Sequence, residues 1–128
     1  MADIDFSVLS LLDLDLKGHN SLNLRCLHGR RGLLREITIP DINRPGLALS
    51  GFFESFAFKR VQVFGRGEVA FLHKVIHDGN IDSIRQLFSY PIPCCIFTHN
   101  LDVPELFSQM AEEAGCPILA TDLESTEF

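Results

Sequence analysis

The most constraining feature of the sequence is a strand that is apolar on both faces, followed by an amphipathic helix and a second strand. Residues 94–97, Cys-Cys-Ile-Phe, show no alternation of polar and apolar side chains, which is typical of a strand covered on both faces in a parallel sheet. Over residues 103–114 apolar side chains recur at helical spacing, and residues 117–120 are again β-prone. This unit predicts a right-handed crossover between parallel strands. We therefore expect an α/β fold, with a mixed, largely parallel sheet and flanking helices.

Side chains suited to helix capping indicate where helices begin and end. The expected N-caps are Ser7, Asn80 and Asp102. The third is supported by Glu105 at the position of a capping box, and Gly115 follows the same helix as a C-terminal glycine. The expected helices begin after Ser7 and cover residues 68–76, 81–88 and 103–114.

The first half of the chain is interpreted as a hairpin followed by a loop. Residues 22–26 alternate polar and apolar side chains, residues 28–32 contain the turn, and residues 36–39 form a second β-prone run. Two prolines and a glycine then indicate a loop over residues 40–46. Residues 61–64 predict the next strand.

Length and charge limit the classes of function. The 128 residues are 46% hydrophobic and carry a net charge of −6, so we expect a single domain over residues 1–128 and no nucleic-acid partner. No apolar run reaches the roughly 20 residues of a membrane span, and the N-terminus lacks the basic region of a secretory signal. The expected compartment is the cytoplasm, with no membrane partner. Four arginines, at positions 25, 30, 31 and 35, form either an anion patch or, as the favoured interpretation, a solvated hairpin tip.

The cysteines and two of the histidines provide no template for a metal site. Cys94, Cys95 and Cys116 lie in apolar runs and no C-x-x-C pair occurs, so we expect buried free thiols in a reducing compartment. The adjacent Cys94 and Cys95 should point to opposite faces of their strand. His73 and His77 are four residues apart and would share one helix face as half of a metal site, but further ligands are lacking. We expect no bound metal.

Nucleotide-binding motifs are weak or absent. Gly65-x-Gly67-x-x-Ala70 lies between a strand and a helix, as in a dinucleotide fingerprint, but two helical segments precede the next strand and the partner acidic residue is missing. A plain strand-to-helix turn is the favoured interpretation. The pattern G-x-x-x-x-G-K-[ST] does not occur, so we expect neither a phosphate-cradling loop nor a catalytic residue in this chain.

The loop that contains Arg44 holds the residues best suited to contact another molecule. Pro45-Gly46 favours a tight turn, which would hold the Arg44 guanidinium at an exposed tip. The candidate residues for a ligand or interdomain contact are Asp41, Asn43, Arg44 and Gly46. This interpretation is favoured because loops on a rigid scaffold commonly carry function. The alternative is a structural clamp, in which Arg44 binds Asp41 or a backbone carbonyl.

Several strings along nearly the whole chain resemble, in the same order, the N-terminal domain of bacterial HPr kinase/phosphorylase. The combination of Arg-Pro-Gly-Leu at residues 44–47 with Arg-x-Gln-Val-x-Gly at residues 60–65 is the more specific part. The other strings are Gly32-Leu33-x-Arg35-Glu36-Ile37-Thr38, Asp41-Ile42-Asn43, Gly51-Phe52-Phe53-x-x-Phe56, the segments 93–98 and 114–119, and the closing Ser125-Thr126-x-Phe128.

The resemblance implies a two-domain, hexameric enzyme whose C-terminal domain carries the phosphate-binding loop. With ATP and Mg²⁺, that domain phosphorylates a serine of the phosphocarrier HPr, and it reverses the reaction by phosphorolysis. The chain then looks like an excised N-terminal domain, without cofactor or catalytic residues of its own, and its fold is expected to be similar to the N-terminal domain of Mur ligases. Its implied role is accessory or regulatory, with the catalytic domain and neighbouring subunits as partners. The alternatives are a sensor for an anionic metabolite or nucleotide-sugar, and a free-standing interaction module.

Overall fold

The computed structural model describes residues 6–18 and 22–124, which form one five-stranded sheet with helices on both faces. The closing Ser-Thr-x-Phe string lies outside the described residues. The elements in chain order are α1 (Val8–Lys17), β1 (Arg25–His28), a 3₁₀ turn (Arg30–Gly32), β2 (Ile42–Asn43), α2 (Gly46–Leu49), β3 (Val61–Phe64), α3 (Arg66–His77), α4 (Asp82–Leu87), β4 (Cys95–Phe97), α5 (Glu105–Ala114) and β5 (Ile118–Ala120).

The strand order confirms the expected α/β class. The strands lie in the order β1-β5-β4-β3-β2, and every neighbouring pair among β2, β3, β4 and β5 is parallel. Only β1 is antiparallel, paired with β5 through Arg25↔Ala120 and Cys26↔Leu119. The sheet is therefore mixed and largely parallel. Within the described part of the chain, no helix has the length and hydropathy of a membrane span.

The two faces of the sheet carry two separate apolar clusters. Cys95 and Phe97 point toward α2–α5, whereas Cys94 and Ile96 point toward α1, as the alternation along a strand requires. On the larger side, Phe107 of α5 is fully buried against other aromatic rings; its ring centroid lies 5.3 Å from Phe64, 4.9 Å from Phe88 and 5.6 Å from Phe97. The apolar stripe of α5 thus faces the sheet, as predicted.

The predicted hairpin over residues 22–39 is wrong. β1 pairs with β5 instead, and of residues 36–39 only Glu36 makes a single bridge, to Ser7. The reason lies in the turn after β1, where a side chain on Gly29 or Gly32 would collide with the backbone carbonyl oxygens of Cys116 and Gly115. This close approach places the turn against the α5–β5 junction. The second strand of the first half is β2, inside the segment interpreted as a loop.

One of the three predicted N-caps is confirmed. Ser7 accepts a hydrogen bond from the Ser10 amide, with N···Oγ 3.1 Å, and begins α1. Asn80 is not an N-cap, because α4 begins at Asp82 after Ile81 and has no side-chain cap, and the Asn80 amide donates to the Val75 carbonyl of α3 at 3.0 Å. Asp102 is also not the cap, because the extended ψ of 138° at Pro104 delays α5 until Glu105.

Of the four arginines near the turn, Arg25, Arg30 and Arg31 are exposed, whereas Arg35 is partly buried, and no hairpin tip forms because the hairpin is absent. Arg35 donates from Nη1 to the Ile92 carbonyl at 2.8 Å and from Nη2 to the Ala114 carbonyl at 2.7 Å. Arg31 Nη2 donates to the Glu112 carbonyl at 3.0 Å. Both side chains therefore bind the carbonyl end of α5, where the helix dipole favours positive charge.

Candidate contact site at the carboxyl edge of the sheet

Three of the four candidate residues lie at the edge where the parallel strands end. In open α/β sheets this is the edge at which ligands and partners usually bind. Asn43 is the last residue of β2, Arg44 follows it, and Gly46 is the first residue of α2. Asp41 immediately precedes β2 and is exposed. The structure thus places Asn43, Arg44 and Gly46 at one corner of the sheet, beside β3, whereas Asp41 lies at the amino end of β2.

Asn43 belongs to a polar network that closes this corner from within. Its Nδ2 donates to Gln62 Oε1 at 2.8 Å, across the β2–β3 pair. Gln62 is fully buried, and its Nε2 donates to the carbonyls of Ala57 at 2.9 Å and Arg60 at 2.8 Å. A buried amide with its donors and acceptor satisfied stabilises one arrangement of the strands. Asn43 therefore has a structural role in this network.

Arg44 contacts an acidic side chain on α3. Its Nη2 and Nε lie 3.0 Å and 3.3 Å from Glu68 Oε1, and its side chain is 42% exposed against 16% for Glu68. The same oxygen accepts a hydrogen bond from the Gly65 amide at 2.8 Å, so Glu68 caps the N-terminus of its own helix. The clamp considered for Arg44 thus has Glu68 as its carboxylate, and the guanidinium still reaches solvent.

The Glu68 carboxylate also explains the glycine motif at the start of α3. In a dinucleotide site the helix N-terminus and its glycines would receive a phosphate. Here the position at Gly65 N–H is occupied by a side chain of the same helix. The favoured interpretation of Gly65-x-Gly67 as a plain strand-to-helix turn agrees with this geometry.

Gly46 does not form the tight reversal that was expected. Its φ is not in the left-handed region, and a Cβ at this position would meet no heavy atom within 4 Å. The chain instead continues from Pro45 directly into α2. The positive φ of this region belongs to Gly51, at 100°, just after α2.

Two exposed apolar residues next to Arg44 were missed by the sequence analysis. Leu47 is 69% exposed and Phe52 50% exposed, and both line a shallow pocket of about 70 Å³ together with Arg44. A leucine and a phenylalanine close to Pro-Gly and Ser-Gly turn signals would have been the clue, because turn residues are usually polar. We refer to Arg44, Leu47 and Phe52 together as the Leu47–Phe52 shelf.

Two further pairs of polar side chains at the carboxyl edge bind each other. Arg25 Nη2 donates to Asn100 Oδ1 at 3.1 Å, and Asn23 Nδ2 donates to Asp122 Oδ1 at 3.1 Å. Both pairs join the start of β1 to loops that follow β4 and β5. Sequence reasoning could not find them, because they depend on β1 lying beside β5.

Two cavities of different size are candidate ligand sites. Drug-sized ligands usually occupy pockets of roughly 300–1,000 Å³. The pocket at the shelf, about 70 Å³, is far smaller than that. A groove of about 440 Å³ lies on the α1 side, between Leu11, Ile42 and Ile96, but its lining is apolar except for Thr38. Neither combines the volume and the charge that an anionic metabolite requires.

The cysteines and histidines take the positions that their neighbours in sequence predict. Cys94, Cys95 and Cys116 are buried free thiols, and burial raises the pKa of Cys94 and Cys95 well above that of an ordinary thiol. His73 and His77 are exposed on α3. Within residues 6–18 and 22–124, no group of three or more histidine, cysteine or acidic side chains is placed to hold a metal ion.

Comparison with known proteins covers almost the whole chain. The family described as "HPr Serine kinase N terminus" matches residues 13–128. HPr kinase/phosphorylase of Treponema pallidum is 50% identical over 118 residues, which cover 92% of this chain and 37% of that protein. The Leptospira biflexa protein of the same name is 34% identical over 113 residues, covering 88% of this chain and 35% of that one.

A solved structure with a similar fold is that of the CBS and DRTGG domains in the regulatory region of Clostridium perfringens pyrophosphatase, complexed with the activator diadenosine tetraphosphate. The TM-score is 0.51 at 12% identity, over 99% of this chain and 49% of that one. This likeness concerns the fold alone. The chain spans little more than a third of the curated relatives, and the matched family is defined by their N-terminal part. The chain therefore belongs to the HPr kinase/phosphorylase family, in which it corresponds to the N-terminal domain.

Proposed function

We propose that this chain is the non-catalytic, accessory and regulatory domain of a bifunctional HPr serine kinase/phosphorylase. The full-length enzyme would phosphorylate and dephosphorylate a serine of HPr in the control of carbon metabolism. The observation that carries the proposal is the 50% identity over 118 residues to a relative of which this chain spans only 37%. The sequence also lacks a Gly-Lys-Ser/Thr phosphate loop, and phosphoryl transfer relies on such positioning and on metal-assisted charge stabilisation.

The partners of such a domain are proteins. Its own catalytic region and neighbouring subunits, up to a hexamer, would contact it, and HPr would meet it only through the whole enzyme. ATP and Mg²⁺ belong to the catalytic region, so the chain itself needs no cofactor. The net charge of −6 disfavours nucleic acid as a partner, and no membrane contact is proposed. The compartment proposed is the cytoplasm.

A protein contact suits the Arg44 corner better than a small-ligand sensor does. The pocket beside Arg44 is about 70 Å³, whereas its surface presents an arginine, a leucine and a half-exposed phenylalanine. Arginine and aromatic side chains are enriched at protein interfaces. Within the proposed function, Asp41, Asn43, Arg44 and Gly46 therefore position a surface for an interdomain contact.

A domain exchange tests the proposed function. This chain replaces the matching part of the Treponema pallidum relative, and the chimera is assayed for phosphorylation of HPr and for its reversal with inorganic phosphate. We expect both activities in the chimera and none in the purified chain with HPr, ATP and Mg²⁺. An inactive chimera beside an active parent enzyme, or phosphate transfer by the chain alone, would overturn the proposal.

A further inference from the structure

The shelf exposes more apolar surface than a solvated corner of the fold requires. Leu47 and Phe52 are 69% and 50% exposed, and they line one pocket together with Arg44, whose side chain is 42% exposed. Single exposed apolar side chains are ordinary on protein surfaces. Two large ones together with an arginine match the composition of interface centres.

The local backbone holds the shelf in a fixed shape. Ala48 and Leu49 are buried and anchor the four-residue α2, which turns Leu47 outward. After α2, the Phe52 amide donates to the Leu47 carbonyl at 3.0 Å, and the positive φ of Gly51 brings the chain back. Little side-chain or loop ordering remains to be done on binding, which favours affinity.

The course of the chain indicates what covers the shelf. β5 ends at the same edge of the sheet as β2, and Leu123 is held there by its carbonyl, which accepts from the His99 amide at 2.8 Å. Three strand spacings of about 4.8 Å separate β5 from β2, so this point and the shelf lie within the footprint of one ordinary interface. In the relatives, whose N-terminal part this chain matches, most of the polypeptide lies outside the matched part.

We propose that the Leu47–Phe52 shelf is the surface on which the catalytic region of the same polypeptide docks. The inference rests on the proposed function, because it takes the catalytic region as the partner. Leu47 and Phe52 would enter an apolar depression of that region. Arg44, oriented by Glu68, would face carbonyl or carboxylate oxygens at its border.

Hydrogen exchange locates the contact. Amide exchange is measured by mass spectrometry in the isolated chain and in the chimera described above. We expect peptides covering residues 46–52 to exchange about tenfold more slowly in the chimera. Peptides of α1, whose Leu14 and Leu16 are 60% and 63% exposed, serve as the internal control and should be unchanged.

Matched variants then test the side chains. Leu47→Gln should abolish the protection of residues 46–52 in the chimera, whereas Leu16→Gln should leave it intact. Both residues are exposed, so neither change should alter the melting temperature of the isolated chain by more than about 2 °C.

Protection on α1 instead of the shelf would overturn this inference and leave the proposed function standing. Protection at the shelf already in the isolated chain, with a dimer by light scattering, would assign the shelf to a second copy and overturn it too. An active chimera without protection anywhere would refute docking alone, whereas an inactive chimera bears on the proposed function.

Discussion

The ion pair between Arg44 and Glu68 permits a direct measurement of how this corner of the sheet is held. Arg44→Met removes the guanidinium and keeps an apolar stem of similar length. Glu68→Gln removes the charge but keeps an oxygen that can accept from the Gly65 amide. The two single variants and the double variant form a cycle, in which the coupling free energy isolates the pair from the helix cap.

The expected size of the coupling follows from geometry and exposure. Two guanidinium nitrogens lie 3.0 Å and 3.3 Å from one carboxylate oxygen, with side chains 42% and 16% exposed. Fully exposed pairs contribute about 0.2–1 kcal/mol, and breaking buried ones costs about 3–5 kcal/mol. The partial exposure of Arg44 places the pair near the lower class, at about 1 kcal/mol. Arg44→Lys should lose part of it, because an ammonium lacks the planar fork.

Urea unfolding of the isolated chain provides the free energies, with an unchanged m-value as the condition for interpreting the midpoints. The exposed Lys74–Asp78 pair, 3.3 Å apart on α3, is the matched control and should couple by about 0.3–0.5 kcal/mol. The Arg44–Glu68 coupling should shrink in 1 M NaCl, where the Debye length is about 3 Å. A coupling no larger than that of the control pair would refute the clamp between Arg44 and Glu68.

Three further predictions concern the scaffold behind the site. Phe107→Ala should lower the free energy of unfolding by about 3–5 kcal/mol and the melting temperature by roughly 10–20 °C, because the ring is fully buried. Phe52→Ala, the exposed control, should lower the free energy of unfolding by less than about 1 kcal/mol. Equal losses in the two variants would contradict the orientation of α5. Arg35→Met should lower the free energy of unfolding, measured with urea, by about 2–4 kcal/mol, because the carbonyls of Ile92 and Ala114 lose their charged donors. No change in stability would mean that water replaces the guanidinium as the donor to these carbonyls. The raised pKa of the buried Cys94 and Cys95 thiols implies that the unfolded state ionises first as the pH rises. Stability should therefore be complete below about pH 8.5 and fall above it, and the Cys94→Ala/Cys95→Ala variant should show a flatter pH profile.

The second half of the fold could be predicted because its signals are local. β4 and β5 are short apolar runs and β3 is one apart from Gln62, and α3 and α5 show their buried faces in the spacing of their side chains. Phe107 is in the core because its helical stripe faces a sheet that is covered on both sides. Periodicity of this kind needs no knowledge of which strands are neighbours.

The first half could not be predicted because its pairing is non-local. Residues 22–39 contain turn glycines, and a hairpin is the nearest local solution. In the structure, Gly29 and Gly32 serve a different purpose: they allow the turn to touch the backbone at Gly115 and Cys116. That contact, more than 80 residues away in sequence, decides that β1 joins β5.

The candidate site shows the same division. An exposed Arg44 could be predicted from Pro45-Gly46, although the sequence indicates a loop before it, where the structure has β2. Its partner Glu68 depends on β2 lying beside β3. Glu68 itself was visible in the sequence as an acidic residue three positions after Gly65, the spacing of a capping box. The ion pair between Glu68 and the Arg44 guanidinium could not be predicted, because it depends on the strand order.

The carboxyl edge of this sheet is arranged to bind its own side chains rather than a small molecule. In an α/β ligand site, the helix N-terminus after a strand and the polar ends of neighbouring strands remain available to the ligand. Here Glu68 caps the N-terminus of α3, Asn43 donates to the side-chain oxygen of Gln62, and Arg25 donates to Asn100. An anionic metabolite would have to displace a carboxylate that already accepts from the Gly65 amide and from the Arg44 guanidinium. A protein surface need not displace it, because Leu47 and Phe52 are exposed and Arg44 keeps part of its side chain in solvent. The geometry of this edge therefore favours a contact between folded surfaces over recognition of a small ligand.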